Sequence, residues 1–447
     1  MMNQASPPMI DVLPPEILSA VFALLRQTRR YRQLLPFQVQ LSHVCRHWRQ
    51  VALSTPQLWS TISIFSSESQ LCTNEWLTRS CTVPLDVRLD LYKADCRGVL
   101  TPGWIGDNLS LIAQNADRIR SLFLITVKEV NVYHTLELFR QADAPLLERL
   151  RVHVGSHEHS HHLSPFVDPE SGFTLATTFR GDLPRLTFVE LKALRCIPPL
   201  TNVTTLHLNL VGSQPAEISF NRLVEILQLP QNLITLSLRG NVATDGWPPQ
   251  RDRSHITLPK LRNLELSSNG ATGVCFLIFF AIPELKSLRW HVYSDSYHLL
   301  LESPQFQTGS SKFPSLKYLT LVSQSLTPQH LQRLMRIFPT PTHILCSHAL
   351  APRTTFQYLD SLLDAPCLEV LAMQRVFEPR TEVAIRDLRG VLIKRPGIKF
   401  LVDTTLLAYI DSHDPELRST VELDEINEQS FPDYWLISRS LDTPDRL

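Results

Sequence analysis

Five histidines stand within ten residues, at His153, His157, His159, His161 and His162. Imidazole binds zinc or copper, and short histidine-rich tracts can hold such ions. Structural zinc sites, however, usually draw on thiolates or space their ligands regularly, and no cysteine is near in sequence. The tract therefore reads as an insertion loop, with no metal and no cofactor expected. No G-x-S-x-G elbow, G-x-x-x-x-G-K-[ST] loop, H-E-x-x-H pair or G-x-G-x-x-G turn is present, so intrinsic catalysis is not expected. With only 14 glycines, the chain is also poorly suited to glycine-rich phosphate loops. A metal enzyme built on the histidine tract is the weakest of the readings considered.

Recognition is the remaining chemistry, and composition limits with what. Lys+Arg 43 against Asp+Glu 43 leaves no net charge, so neither nucleic acid nor an anionic membrane is an expected partner. The basic stretch Arg26–Arg32 reads as a solvated loop. The eight cysteines, at 45, 72, 81, 96, 196, 275, 346 and 367, include no C-x-x-C pair. They read as reduced, buried thiols of an intracellular protein, cytoplasmic or nuclear. The first eight residues lack the basic region and apolar core of a signal peptide. The longest apolar run, Val274–Ile282, is far short of the roughly 20 residues that a membrane span needs and reads as a buried helix.

The elements that would position a binding surface are most legible at the start. Pro14 and Pro15 fix φ at a helix start, and Glu16 favours the positive end of the helix dipole. The helix from about Pro15 carries Ile17, Leu18, Val21, Phe22 and Leu25 at helical spacing. A second helix is predicted over Gln38–Leu53, with Leu41, Val44, Cys45, Trp48 and Ala52 on one face. Pro56 ends it, and Leu58 and Trp59 fold back over the pair.

Leu13-Pro14-Pro15-Glu16-Ile17-Leu18, Val21-Phe22, Leu41-Ser42-His43-Val44-Cys45-Arg46-His47-Trp48-Arg49 and Pro56-Gln57-Leu58-Trp59 together resemble an F-box. The loop between the helices is longer and more basic than in a minimal F-box. The resemblance implies a three-helix module, residues 9–62, that docks on the small adaptor subunit of a cullin-RING ubiquitin ligase. It implies adaptor contacts by Leu13, Pro14, Pro15, Ile17, Leu18, Phe22, Val44, Trp48, Leu58 and Trp59. The apolar surface of Leu13, Pro14, Ile17, Leu18, Phe22, Val44 and Trp48 exceeds what two short helices hide from each other, which is a reason to expect a helical partner; the alternative is that all seven are internal core.

From residue 119 one phrase recurs, apolar-x-x-apolar-x-apolar, as in Leu233-Leu236-Leu238, Leu261-Leu264-Leu266 and Leu316-Leu319-Leu321. The 73 leucines of the chain supply the ridge that such a repeat needs. Steps between phrases mostly match leucine-rich repeats, with a degenerate phrase at Thr342–Leu345 and a weak one at Ile398–Leu401. Each phrase reads as a short strand; Phe220–Leu227 and Pro328–Phe338 read as intervening helices. Asn74–Ser80 and the alternating Leu85–Leu91 read as a helix and strand that open the array. With W-L-x-R-S, P-L-x-V-x-L and Phe179–Leu186, this region is similar to fungal F-box families.

The expected fold is α/β: an F-box, then an irregular leucine-rich solenoid over 70–404, its parallel sheet curved, with helices and loops on the convex side. An insertion falls at about 155–180, and 405–447 forms an acidic cap or tail. Positions between the inward leucines would line the concave face. They are Arg151, His153, Glu190, Lys192, His207, Asn209, Arg239, Glu265, Arg289, His291 and Gln374, with Ser237, Ser267, Thr320, Val322 and Ala372 among them. The functional expectation is a non-catalytic receptor subunit that joins an adaptor and cullin scaffold to an unidentified protein substrate. The alternative is a leucine-rich interaction scaffold outside any ligase.

Overall fold

A computed structural model describes residues 13–28, 36–65, 69–92, 102–127, 129–154, 179–192, 197–209, 219–240, 256–268, 272–292, 306, 312–323, 328–347, 362–363, 365–374, 389–390, 392–395 and 397–426. The histidines at 157–162, the basic residues Arg29, Arg30 and Arg32, and the aromatic tail residues Phe431, Tyr434 and Trp435 lie outside the described residues. The fold is mixed α/β, with helices at the N-terminus and parallel strands thereafter. The chain divides into two compact units, which meet in sequence at Asn202 and Val203.

The first unit opens with α1, Pro15–Thr28. It runs through Arg26 and Gln27, which the sequence assigns to the basic loop. The single helix predicted over Gln38–Leu53 is two, α2 (Phe37–Ser42) and α3 (Arg46–Leu53). The break is local chemistry: Cys45 is extended, at φ −153° and ψ 174°, and its Sγ caps α3 by accepting from the Trp48 N–H at 3.4 Å. A 3-10 turn, Pro56–Trp59, then tucks Leu58 and Trp59 into the core. The Trp59 indole N–H donates to the Ala52 carbonyl at 2.8 Å, so its burial leaves no orphan donor.

Strands β1 (Thr61–Ile64), β2 (Leu85–Asp90), β3 (Ile119–Thr126), β4 (Arg149–Val154) and β5 (Phe188–Leu191) pair in that order, all parallel. Between them lie α4 (Ser69–Arg79), α5 (Pro102–Gln114) and α6 (Glu129–Glu137).

The second unit repeats the scheme with β6 (Thr205–Asn209), β7 (Thr235–Arg239), β9 (Asn263–Ser268), β11 (Ser287–Val292), β12 (Tyr318–Ser323), β13 (His343–Ser347), β14 (Val370–Gln374), β15 (Lys399–Val402) and β16 (Leu423–Glu425). These pair in parallel in that order. Short β8 (Ile256–Thr257) and β10 (Phe280–Ala281) form a separate pair. Both weak phrases, at 342–345 and 398–401, are strands, and β16 carries the pairing past residue 404 into the acidic segment. Helices α7 (Phe220–Gln228), α8 (Thr272–Phe279), α9 (Pro328–Ile337), α10 (Thr404–His413) and α11 (Leu417–Thr420) also belong to the unit. Leu206, Leu236, Leu264, Leu288, Leu319, Ile344, Leu371 and Phe400 stand in one register row, and all are buried. That row is the core, and it is why the phrase repeats: every new strand must bury the same two positions against its neighbour.

Helix α8 is buried almost throughout, as expected of the run at 274–282, although Phe280 and Ala281 leave it for β10. No helix among the described residues is long and apolar enough to cross a membrane.

Candidate functional site

In the N-terminal module the apolar stripe of α1 divides into two. Leu18 and Phe22 are wholly buried, and Phe22 packs on Trp48 with ring centroids 5.0 Å apart. Leu18, Phe22, Leu58 and Trp59 are thereby placed in the module's own core, where no partner reaches them in this conformation. Arg79 of α4 closes over the Trp59 ring, 4.6 Å from its centroid.

The other side of α1 is open. Ile17 is 51% exposed, Leu24 64% and Leu25 43%, and Val44 between α2 and α3 is 59% exposed. Pro14 and Pro15 are exposed as well, while Leu13 and Trp48 are half-buried. Leu24, seven residues after Ile17 and therefore on the same side of the helix, was not anticipated as part of this surface. Its signal was the helical period itself.

The strand positions between the leucines form rows, but the rows are not an open face. Glu190, His207, Ser237, Glu265, Thr320 and Ala372 are all buried, which corrects the expectation of a solvent-facing surface. Parallel strands are commonly covered on both faces, and the centres of these follow that rule. Lys192, Asn209 and Gln374 stand at half-buried strand ends.

Two glutamates organise the rows. In the first unit, Arg88, Phe123, Arg151 and Glu190 are in register. Glu190, 1% exposed, meets His153 Nε2 at 2.8 Å and Arg151 Nε at 3.5 Å. Phe123 takes the Arg88 guanidinium over its face at 5.0 Å and the His153 ring against its edge at 4.8 Å. Burial lowers the proton affinity of the Arg151 guanidinium, and Glu190 opposes that. Arg88 and Phe123 were not anticipated; the strict alternation of Leu85–Asp90 is the signal that puts Arg88 on this side.

In the second unit, His207, Ser237, Glu265, Arg289 and Thr320 share one row. Glu265 has no exposed surface. The Ser237 hydroxyl donates to Glu265 Oε2 at 2.8 Å, and Arg239 donates to Oε1 at 2.8 Å. Arg289 Nε and His291 Nε2 lie 3.6 and 3.7 Å from the same oxygen. Burial alone would raise the carboxyl's pKa, but His291, the two arginines and the serine outweigh it and hold it well below the usual range. Burial keeps His291 inclined to be neutral. The sequence thus named Arg239, Glu265, Arg289 and His291, and the fold brings all four together. Among the described residues no group of His, Cys, Asp and Glu is arranged to hold a metal.

The F-box-like family model matches residues 10–65, the segment that contains α1–α3, the 3-10 turn and β1. Comparison with curated proteins returns no match.

Proposed function

We propose that this chain is a non-catalytic substrate receptor of an SCF-type cullin-RING ubiquitin ligase. The observation that carries the reading is the F-box-like domain at residues 10–65; such domains in general bind the small adaptor subunit of these complexes. Pro14, Pro15, Ile17, Leu24, Leu25 and Val44 are exposed apolar groups that support docking on the small adaptor, with Leu13 and Trp48 at the margin. The buried Leu18, Phe22, Leu58 and Trp59 shape that surface from beneath.

The parallel strands with in-register leucines support reading both units as irregular leucine-rich repeats, with the half-buried Arg239, Arg289 and His291, held by the buried Glu265, as the polar groups offered to substrate. The receptor makes no bond itself. It raises the effective concentration of substrate near the ubiquitin-charged enzyme. Action inside the cell, in cytoplasm or nucleus, belongs to the same proposal.

The test is co-purification with adaptor and cullin. Wild type is expected to retain both. Ile17→Asp with Val44→Asp, both at exposed positions, is expected to lose them by at least about tenfold, the cost of setting charge in an apolar interface, with circular dichroism unchanged. Retention of both subunits by the folded variant would overturn the docking surface. Wild type that retains neither would overturn the receptor reading.

A further inference from the structure

The residues just before the strands of the second unit form a row of their own along one end of the sheet. Arg262, Lys286 and Lys317 precede β9, β11 and β12 on three neighbouring strands. The Lys286 N–H donates to the Arg262 carbonyl at 2.8 Å, and the Lys317 N–H to the Lys286 carbonyl at 2.9 Å. Neighbours in the row are therefore about 4.8 Å apart, the interstrand spacing. All three residues are exposed, as is Lys260, which donates to Asn232 Oδ1 at 2.5 Å. Arg262 shares charge with Glu284, Nε to Oε2 3.3 Å, but no carboxylate lies within ion-pair distance of Lys286 or Lys317 among the described residues.

Like charges placed opposite each other on adjacent strands destabilise a sheet. The corresponding row of the first unit avoids this by alternating sign. Arg120 stands between Asp86, at 2.6 Å, and Glu148, whose N–H donates to the Arg120 carbonyl at 2.8 Å. The second unit sets Lys286 and Lys317 side by side next to the Glu284-paired Arg262, an arrangement that folding does not favour. One strand further, the Arg262 N–H donates to the carbonyl of Ile234, a side chain 37% exposed.

We infer that this rim, Ile234 to Lys317, is a docking surface for an acidic polypeptide segment that carries an apolar residue at one end. The occupant follows from charge complementarity. Alternate side chains of an extended acidic segment are roughly 6.6 Å apart, within reach of flexible lysine stems on strands about 4.8 Å apart. Nucleic acid is the poorer fit, because its binding draws on many phosphate contacts and this chain has no net charge. The surface is distinct from the strand-centre rows, and the inference stands whether or not the N-terminal module engages an adaptor.

The full chain is titrated into a fluorescein-labelled octaglutamate peptide in about 0.02 M salt, where the screening length is roughly 20 Å. Wild type is expected to bind, with affinity falling about tenfold at roughly 0.2 M salt. The double variant Lys286→Gln, Lys317→Gln is expected to bind about tenfold more weakly, with a melting temperature equal to or above wild type because repulsion has been removed. Absence of binding by wild type, or equal binding by the variant, overturns the inference. So does a lower melting temperature in the variant, which would make the lysines structural. Tighter binding of an oligothymidine through the same lysines would overturn the assigned partner class.

Discussion

At the residue scale, Glu265 is the side chain on which most depends. Its Oε1 lies 2.8 Å from Arg239, 3.6 Å from Arg289 and 3.7 Å from His291, and it has no access to water. Glu265→Gln keeps the shape and some hydrogen bonding but removes the buried negative charge beside two half-buried guanidinium groups, at a cost of roughly 3 kcal/mol near pH 7. Because the folded carboxyl is held below its unfolded value of 4.5, the stability it supplies is complete above that value and declines as pH falls below it. His291, lowered from 6.5 chiefly by burial, acts in the same direction at somewhat higher pH. Urea unfolding of wild type and variant at pH 7 and pH 3 is therefore expected to show a gap that narrows in acid. An equal gap at both pH values would mean that the charge of Glu265 does nothing for the fold.

At the scale of elements, α8 shows how a helix without a polar face is accommodated. Its N-terminus is capped from β9, the Gly273 N–H donating to Ser268 Oγ at 3.1 Å. Gly273 suits that close approach, since a Cβ there would meet Ser268 Oγ and Trp290 Nε1 at 3.4 Å. At the other end, Lys312 Nζ donates to the carbonyls of Leu277 and Ile278 at 2.7 and 2.6 Å, placing a cation on the negative end of the helix. Its ammonium also lies 5.9 Å from the Phe313 ring centroid. Lys312→Met retains the stem and loses the charge, and chemical denaturation should find it less stable by about 2 kcal/mol, as for hydrogen bonds to a charged donor. A loss no larger than that of a surface lysine would show that water can cap this end.

At the scale of the whole molecule, burial sorts the thiols. Burial pushes Cys346 up to about 12 and Cys275 up to about 11, so neither offers a thiolate at neutral pH. Cys72, Cys81 and Cys367 are exposed. The expectation of uniformly buried thiols therefore holds for Cys346 and fails for those three. Maleimide labelling read by peptide mass is expected to modify the exposed three in native protein, and to reach Cys346 only in urea that unfolds the second unit. Rapid native labelling of Cys346 would mean that β13 opens without global unfolding.

How much of this was legible in the sequence depends on whether a feature is set by neighbours along the chain or across it. The leucine period determined the strands, including the weak ones at 342–345 and 398–401, because each must bury the same positions against the next. The L-P-x-E start, the tryptophans and the turn at Pro56 determined the N-terminal module. The split of the second helix was less visible, since it turns on one cysteine sulfur accepting a backbone N–H. The sequence alone also determined which polar residues alternate with the leucines. Only the tertiary structure decided that Glu190 and Glu265 are buried centres, that Ile17 is exposed while Leu18 is core, and that Arg262, Lys286 and Lys317 fall in one line. Those facts depend on register between strands 24 to 31 residues apart and on what covers each face, neither of which a local pattern of residue types contains.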